Sequence, residues 1–400
     1  MTGHAPPAVR PVVTGVGVLS AAGTGLGALA EAAAHGKAAF TAVDRFDVSA
    51  RRTTRAALLP EPLPLADAVL AAVDQACRQA GLPTGPGAAD DAGRFGGAGG
   101  SDDPGSSDGP GSSDAAVLPV LLALHSDLRT RAVAAAVAAG VSAGWGAAGV
   151  TRVYTGACVA AGTAVADAAA SVAAGRHRRV LVAAGHLVEP GVFAAFDAGR
   201  ALARDGELRP FSAGRTGTLL GDAAAAVVVE AEPAAARRGA PVLARLAGWG
   251  RAGDAHHVCR PEPEGDGAAR AIAAALSRAG VVPSDIGYVN ANGTGSPLAD
   301  RAEASALRRV FGAHVARLPV SSSKAVHGHA LEASALLELA VTIAALRDGR
   351  LPVNAGWLGP DPELGLDLVL DGPRAARPSH ALTLNSAFGG ANTALLVAAP

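Results

Sequence analysis

Four short segments carry nucleophilic, titratable or hydrogen-bonding side chains where one regular element gives way to another. In Tyr154-Thr155-Gly156-Ala157-Cys158-Val159-Ala160-Ala161-Gly162, a short β-run ends and an alanine-rich helix begins, with a thiol at the junction. Unpaired N–H groups and the partial positive charge of a helix start favour a thiolate and lower its pKa, so Cys158 is a nucleophile by position. The ordinary alternative is a small buried hydrophobe, which is how Cys77 and Cys259 are read. In Val289-Asn290-Ala291-Asn292-Gly293-Thr294-Gly295-Ser296-Pro297-Leu298, Asn292 follows a strand pattern and offers amide donors to a carbonyl without titrating. An Asn before Gly is also a common left-handed turn residue. In Ser323-Lys324-Ala325-Val326-His327-Gly328-His329, two histidines and a lysine directly precede a long apolar helix. One histidine can move a proton beside the fixed charge of Lys324, and the other is expected to face solvent. Finally, Asn385-Ser386-Ala387-Phe388-Gly389-Gly390-Ala391-Asn392 is a glycine-rich turn between two strands, able to present N–H groups to an oxyanion or simply to close a hairpin.

Three further patterns have the wrong context for chemistry. Gly15-Val16-Gly17-Val18-Leu19-Ser20 lacks the third glycine of a dinucleotide fingerprint. Gly140-Val141-Ser142-Ala143-Gly144 follows a helix rather than the strand that a hydrolase elbow needs. His256-His257-Val258-Cys259 has no second Cys/His cluster to complete a metal site.

The elements that must position these residues alternate. Strands are expected at Pro11 to Val18, within the apolar run Val117 to Leu124, and at Val153 to Thr155, Val180 to Ala184, Ala223 to Glu230, Ile286 to Asn290, Ala381 to Asn385 and Ala394 to Val397. Between them, helices are expected at Leu26 to Ala34, Leu65 to Ala80, Thr130 to Ala139, Val159 to Ala174, Gly267 to Ala279, Arg301 to Val310 and about Ala330 to Arg347. This alternation predicts an α/β fold with largely buried sheets. Similar element order before and after about residue 232 hints at duplicated halves, 1–232 and 233–400. The stretch from Pro83 to Asp114, dense in Gly, Ser, Asp and Pro, is read as a mobile surface loop.

Half of the 400 residues are hydrophobic and only 3% aromatic, so a large core must rely on small side chains and close backbone approach. A formal net charge of −1 with dispersed basic residues marks no surface for nucleic acid or an anionic membrane. Three cysteines without paired spacing point to a reducing compartment, and MTGHAPPAVR lacks an apolar signal-peptide stretch, so a cytoplasmic location is expected.

Taken in chain order, the segments resemble the β-ketoacyl synthase family of the thiolase superfamily over almost the whole length. Thr155-Gly156-Ala157-Cys158 is similar to its nucleophile motif, and Val12 to Ser20 to its opening strand and turn. Arg200-Ala201-Leu202, Arg209-Pro210-Phe211, Gly217 and Gly221-Asp222-Ala223 follow its next block, and Asp254-Ala255-His256-His257 with Pro261 resembles the start of its second half. The resemblance implies a five-layered αβαβα fold of two duplicated halves, paired as a homodimer or with a second ketosynthase-like subunit. It implies Claisen-type carbon–carbon bond formation in polyketide or fatty-acid synthesis, on substrates carried by the phosphopantetheine of an acyl carrier protein, with no further cofactor or metal. Cys158 would be the nucleophile, His329 (rather than His327) the retained histidine, Lys324 the supporting lysine, and Asp300 and Glu303 the acidic positions. Thr294 would belong to the middle motif, while the N–H groups of Cys158 and Phe388 would form an oxyanion hole in a turn completed by Gly389 and Gly390. Phe388 would also gate the acyl pocket.

The chain departs from the family pattern at informative places. Asn292 stands where the His-Gly-Thr motif has histidine, so Asn and His occupy exchanged positions relative to the Cys-His-Asn set of chain-starting relatives. Ser212, Thr216, Thr218 and Asp222 replace the usual Asp, Asp, Phe and Glu, and the Phe-Gly-Phe-Gly-Gly turn is shortened. The expected activity is therefore acyl transfer through Cys158 with altered decarboxylation. The alternatives are a non-condensing partner subunit like a chain-length factor, or an acyl-transfer or cyclising variant.

Overall fold

The computed structural model describes residues 9–85, 118–147 and 149–400, so nearly all of the stretch read as a surface loop lies outside the described residues. Ten strands of a twelve-stranded sheet position the site. In the first half these are β1 (Pro11–Ser20), β2 (Val120–Ala123), β3 (Val150–Tyr154), β4 (Arg179–His186) and β5 (Ala223–Ala231). The second half supplies β6 (Ala244–Gly253), β7 (Ile286–Asn290), β8 (Pro319–Ser321), β9 (His380–Ala387) and β10 (Ala391–Ala398). The first five lie in the order β1-β5-β4-β2-β3 and the second five in the order β6-β10-β9-β7-β8. Strand directions repeat as well: the first two pairings of each set are antiparallel and the last two parallel. The halves are therefore structural duplicates. They join where β1 meets β6 through only two residue pairs, Val12 with Arg245 and Val13 with Ala244.

Helices sort into layers by how much of their circumference is apolar. In α4 (Ala160–Ala173) and α8 (Ser334–Asp348) buried residues occur on every side, as a helix between two sheets requires. With α1 (Leu26–Ala34) they form the central layer, packed in one core with the inward faces of both sets of strands. Outside the first set lie α2 (Leu65–Gln79) and α3 (Thr130–Trp145), and outside the second lie α6 (Asp266–Ala279) and α7 (Pro297–Phe311). The result is the five-layered αβαβα arrangement.

The glycines that resembled a dinucleotide fingerprint have a packing role. A Cβ on Gly15 would sit 2.0 Å from the Ala76 carbonyl oxygen, and one on Gly17 would sit 1.8 Å from that of Ala72, both on the backbone of α2. Gly248 and Gly250 of β6 stand in the same relation to Ala275 and Ala271 of α6, at 2.1 and 1.9 Å. The Gly140–Gly144 pattern lies inside α3, where the Ser142 hydroxyl donates to the Ala147 carbonyl.

Three elements escape the sequence pattern, and β8, only three residues long, is too short to show an alternation. Strand β6 (ARLAGWGRAG) alternates buried and half-buried residues, and its glycines and arginines mask that alternation. The short helix α5 (Pro190–Ala198) fully buries only Phe193, so it has no apolar stripe to read. Gly17→Ala should lower stability in urea unfolding by about 3 kcal/mol, because a helix backbone must move. Gly144→Ala, with open space around its Cβ, should be neutral or stabilise by up to about 1 kcal/mol.

Candidate active site

Strand β3 leads through Thr155 and Gly156 into a 3₁₀ turn, Ala157–Val159, that feeds α4. Ala157 adopts a positive φ of 50°, so the chain turns sharply and places Cys158 on the turn itself. The thiol is buried among Val188, Phe193, Leu202, Leu220 and Leu331. The His329 Nε2 atom lies 3.0 Å from its sulfur, and Nδ1 of the same ring lies 3.0 Å from the Ser334 hydroxyl at the start of α8.

Backbone contacts fix that histidine. The His329 N–H donates to the Leu219 carbonyl at 2.7 Å, and its carbonyl accepts from the Gly221 N–H at 3.0 Å. Gly328, at φ 71°, fits against the Leu220 carbonyl, where a Cβ would come within 2.7 Å. The expectation that one of the two histidines faces solvent is corrected: both are buried. The His327 ring nitrogens have other partners than the sulfur. Nδ1 lies 2.8 Å from the Gly328 carbonyl and Nε2 lies 3.2 Å from the Ser323 hydroxyl.

Lys324 opens a single helical turn, Lys324–His327, and its side chain is fully buried. Its ammonium sits 2.5 Å from a carboxylate oxygen of Glu338 on α8 and donates to Asn292 Oδ1 at 3.1 Å. The other Glu338 oxygen accepts from the Asn385 amide of β9 at 2.5 Å. Lysine thus joins the middle motif, the third segment and the last hairpin. Because Asn292 Oδ1 is taken by lysine, its NH₂ remains the donor end.

Asp300 and Glu303, both on α7, hold the loop that carries Asn292. Glu303 accepts the Asn292 and Gly293 N–H groups at 2.7 and 2.8 Å. Asp300 accepts the N–H of Gly295 at 3.1 Å and that of Phe211 at 2.8 Å, and the Thr294 N–H also bonds to it. Burial pushes both carboxyls up to about 7, against the pull of these N–H groups.

Electrostatics overturn one expectation. The Cys158 thiol is not acidic: burial pushes it up to about 12. The Glu332 carboxylate adds to that rise, while Lys324 and the local backbone oppose it. Loss of water outweighs the helix start. The same burial, helped by Lys324 and His186, holds His329 well below the ordinary histidine range. The resting pair is a neutral thiol beside a neutral imidazole.

Phe388 and the two glycines after it form the turn between β9 and β10. Gly389 and Gly390 have φ of 87° and 75°, and the Gly389 N–H donates to the Val258 carbonyl. The Phe388 ring is 54% exposed and rests on Phe196 of α5, with centroids 5.8 Å apart. The preceding residue, Ala387, packs in the apolar cluster around Cys158, which ties the turn to the nucleophile.

Several residues of the site went unread in the sequence. Glu338 had a usable signal, a lone acid inside the apolar run SALLELAVTIAAL. Glu332, His186 and His125 had none, because their proximity arises only when β4, the loop after β2 and the turn before α8 come together. His256 and Cys259 are exposed, and no cluster of three or more metal-ligating residues occurs among the described residues.

Comparison with known proteins agrees with this geometry. The profile described as "Beta-ketoacyl synthase, N-terminal domain" matches residues 63–235, and "Beta-ketoacyl synthase, C-terminal domain" matches residues 243–357. Nodulation protein E of Rhizobium leguminosarum bv. trifolii is 33% identical over 402 residues, covering 96% of this chain and 98% of that one. The 3-oxoacyl-[acyl-carrier-protein] synthase 2 of Staphylococcus aureus is 36% identical over 51% of each chain. Among solved structures, the ishigamide ketosynthase/chain length factor matches with a TM-score of 0.83 at 25% identity, over 98% of this chain and 100% of that one. A ketosynthase in complex with its type II polyketide acyl-carrier protein matches in fold, with a TM-score of 0.85 at 21% identity and the same coverage. With the thiol–imidazole contact in its interior and these matches along both halves, the chain belongs to the β-ketoacyl synthase family of condensing acyltransferases, with the thiolase-like fold.

Proposed function

We propose that this chain forms carbon–carbon bonds by Claisen-type condensation on acyl-carrier-protein thioesters, through an acyl thioester on Cys158. The first half (1–232) supplies the nucleophile and the second (233–400) supplies Asn292, Lys324 and His329. The observation that carries this reading is the 3.0 Å contact between His329 Nε2 and the Cys158 sulfur.

The neighbouring Ser334 hydroxyl lets His329 keep its proton on Nδ1, so Nε2 is the acceptor. As sulfur attacks the thioester carbonyl, the S–H proton passes to Nε2 and the C–S bond to Cys158 forms. The N–H groups of Cys158 and Phe388 stabilise the oxyanion. The tetrahedral adduct then collapses, the pantetheine sulfur leaves, and it takes the proton back from Nε2. A malonyl-type unit next loses CO₂, its carbanion attacks the acyl carbonyl, and Cys158 leaves as thiolate, which takes up one proton from solvent to restore the resting thiol. In this second step the Asn292 NH₂ donates to the enolate oxygen beside the Lys324 charge. Because asparagine does not titrate, decarboxylation is altered relative to a histidine at this position. The partners are an acyl carrier protein and a second ketosynthase-like subunit, identical or not, in the cytoplasm. A non-catalytic role resembling a chain-length factor would leave the cysteine–histidine contact without a purpose.

Incubation with acyl-loaded carrier protein, followed by intact-mass spectrometry, should give one acyl adduct on the wild-type chain and none on Cys158→Ala. No adduct on the wild type would overturn the reading. Asn292→His should raise CO₂ release from malonyl-carrier protein at least about tenfold; unchanged release would remove the role given to Asn292. With its thiol pushed up to about 12, Cys158 should be alkylated by iodoacetamide at a rate that climbs about tenfold per pH unit from pH 7 to 10. A model peptide thiol should level off near its pKa of about 8.5. Site-resolved mass spectrometry checks this, and a plateau for Cys158 below pH 9 would contradict the neutral-pair description.

A further inference from the structure

Beside the nucleophile lies a second group of titratable side chains that acyl transfer does not use. Glu332 sits on the turn between His329 and α8, with its side chain 2% exposed. One carboxylate oxygen lies 2.9 Å from His125 Nδ1 and the other lies 3.3 Å from His186 Nδ1. Burial alone would raise this carboxyl, yet the two histidines pull it down to about 2, and the carboxylate in turn raises His125. Its charge reaches both Cys158 and His329.

Both histidines line a cavity of about 260 Å³ whose apolar walls include Leu65, Leu124, Val133 and Val192. Val192 also packs in the cluster around Cys158, so the cavity adjoins the surroundings of the nucleophile. Arg129 lines the same cavity, paired with Asp127 and Glu189. His125 Nδ1 is hydrogen-bonded to Glu332 and His186 Nδ1 faces the other, otherwise unpartnered carboxylate oxygen, so the Nε2 atoms are left over. That of His186 is buried without a hydrogen-bond partner, and that of His125 has none among the described residues.

An alkyl chain in this cavity would leave the buried His186 Nε2 without a partner and cover that of the part-exposed His125 from water, which is costly. A chain with an oxygen function would pair with them, whereas a terminal carboxylate would meet Glu332, Asp127 and Glu189. We propose that this cavity receives the distal part of the acyl group on Cys158 and selects chains bearing a hydroxyl or keto oxygen over plain alkyl chains. The inference rests on the acyl-Cys158 reading.

The test uses the full chain with octanoyl-pantetheine and its analogues carrying a hydroxyl or keto oxygen on the penultimate carbon, following the Cys158 adduct by intact mass. The wild type should load an oxygenated thioester about tenfold faster than octanoyl, and His125→Leu and His186→Leu should each bring that ratio to one or below. His125 is partly exposed, so its variant should fold even where the buried His186 change does not. Equal or faster loading of octanoyl by the wild type, or a wild-type ratio retained in the folded leucine variants, would overturn the proposal. Adduct formation with an unfavourable ratio removes only the role of the cavity, whereas no adduct from any thioester removes the acyl-transfer reading and this inference together.

Discussion

A lysine ammonium and a glutamate carboxylate, both fully buried and 2.5 Å apart, set the terms for everything around them. Removing two charges from water costs several kcal/mol per ion, and mutual attraction offsets that only with good geometry and further hydrogen bonds. Here Lys324 donates such a bond to Asn292 Oδ1, and Glu338 accepts one from the Asn385 amide. The pair therefore fixes more than itself: it ties α8, the Asn292 loop and the β9 hairpin to a common point. It also leaves a directed positive charge near the sulfur, the one side-chain charge that pulls the Cys158 thiol downward against burial. The same charge depresses His329, so it favours thiolate while opposing imidazolium. Glu332 acts in the opposite sense on both groups. The neutral thiol–imidazole pair thus lies between two fixed charges that act on it in opposite senses.

Such a site has to sit deep, and the way the sheets pack allows it. With aromatics at 3%, distances between layers are set by glycine and alanine rather than by large rings. The glycine pairs of β1 and β6 let α2 and α6 approach the sheet to backbone contact, at equivalent places in the two halves. In the central layer, Gly162 of α4 faces Thr393 of β10 and Ala335 of α8, so the helix behind the nucleophile touches elements of the second half directly. The cysteine of one half is thereby held against the histidine of the other.

The α/β alternation, most helix positions and the ordered motifs were legible because they rest on local periodicity and on residue types at strand–helix junctions. The positions of Cys158, His329, Lys324 and Asn292 at such junctions were legible for the same reason. What was not legible depended on burial. The helix start beside Cys158 suggested an acidic thiol, but a local sequence cannot report how much water the fold removes, and desolvation dominates. Likewise His327 looked like a surface residue, although its ring makes two hydrogen bonds inside the protein. Strand β6 was hidden because its glycines, needed for contact with α6, break the alternation that marks a strand.

Asparagine at position 292 fits this electrostatic setting. Any residue there must accept a hydrogen bond from Lys324, and a histidine doing so must remain neutral beside a buried cation. Asparagine meets the same demand through Oδ1 and still offers two N–H donors, so the backbone bonds to Glu303 and the lysine network need no rearrangement. Unlike a histidine, asparagine cannot hold or release a proton. On the proposed reading, charge that develops on the donor unit meets a dipole at Asn292, and proton transfer falls to His329. On that reading the acid–base chemistry rests with the one histidine whose ring contacts the Cys158 sulfur.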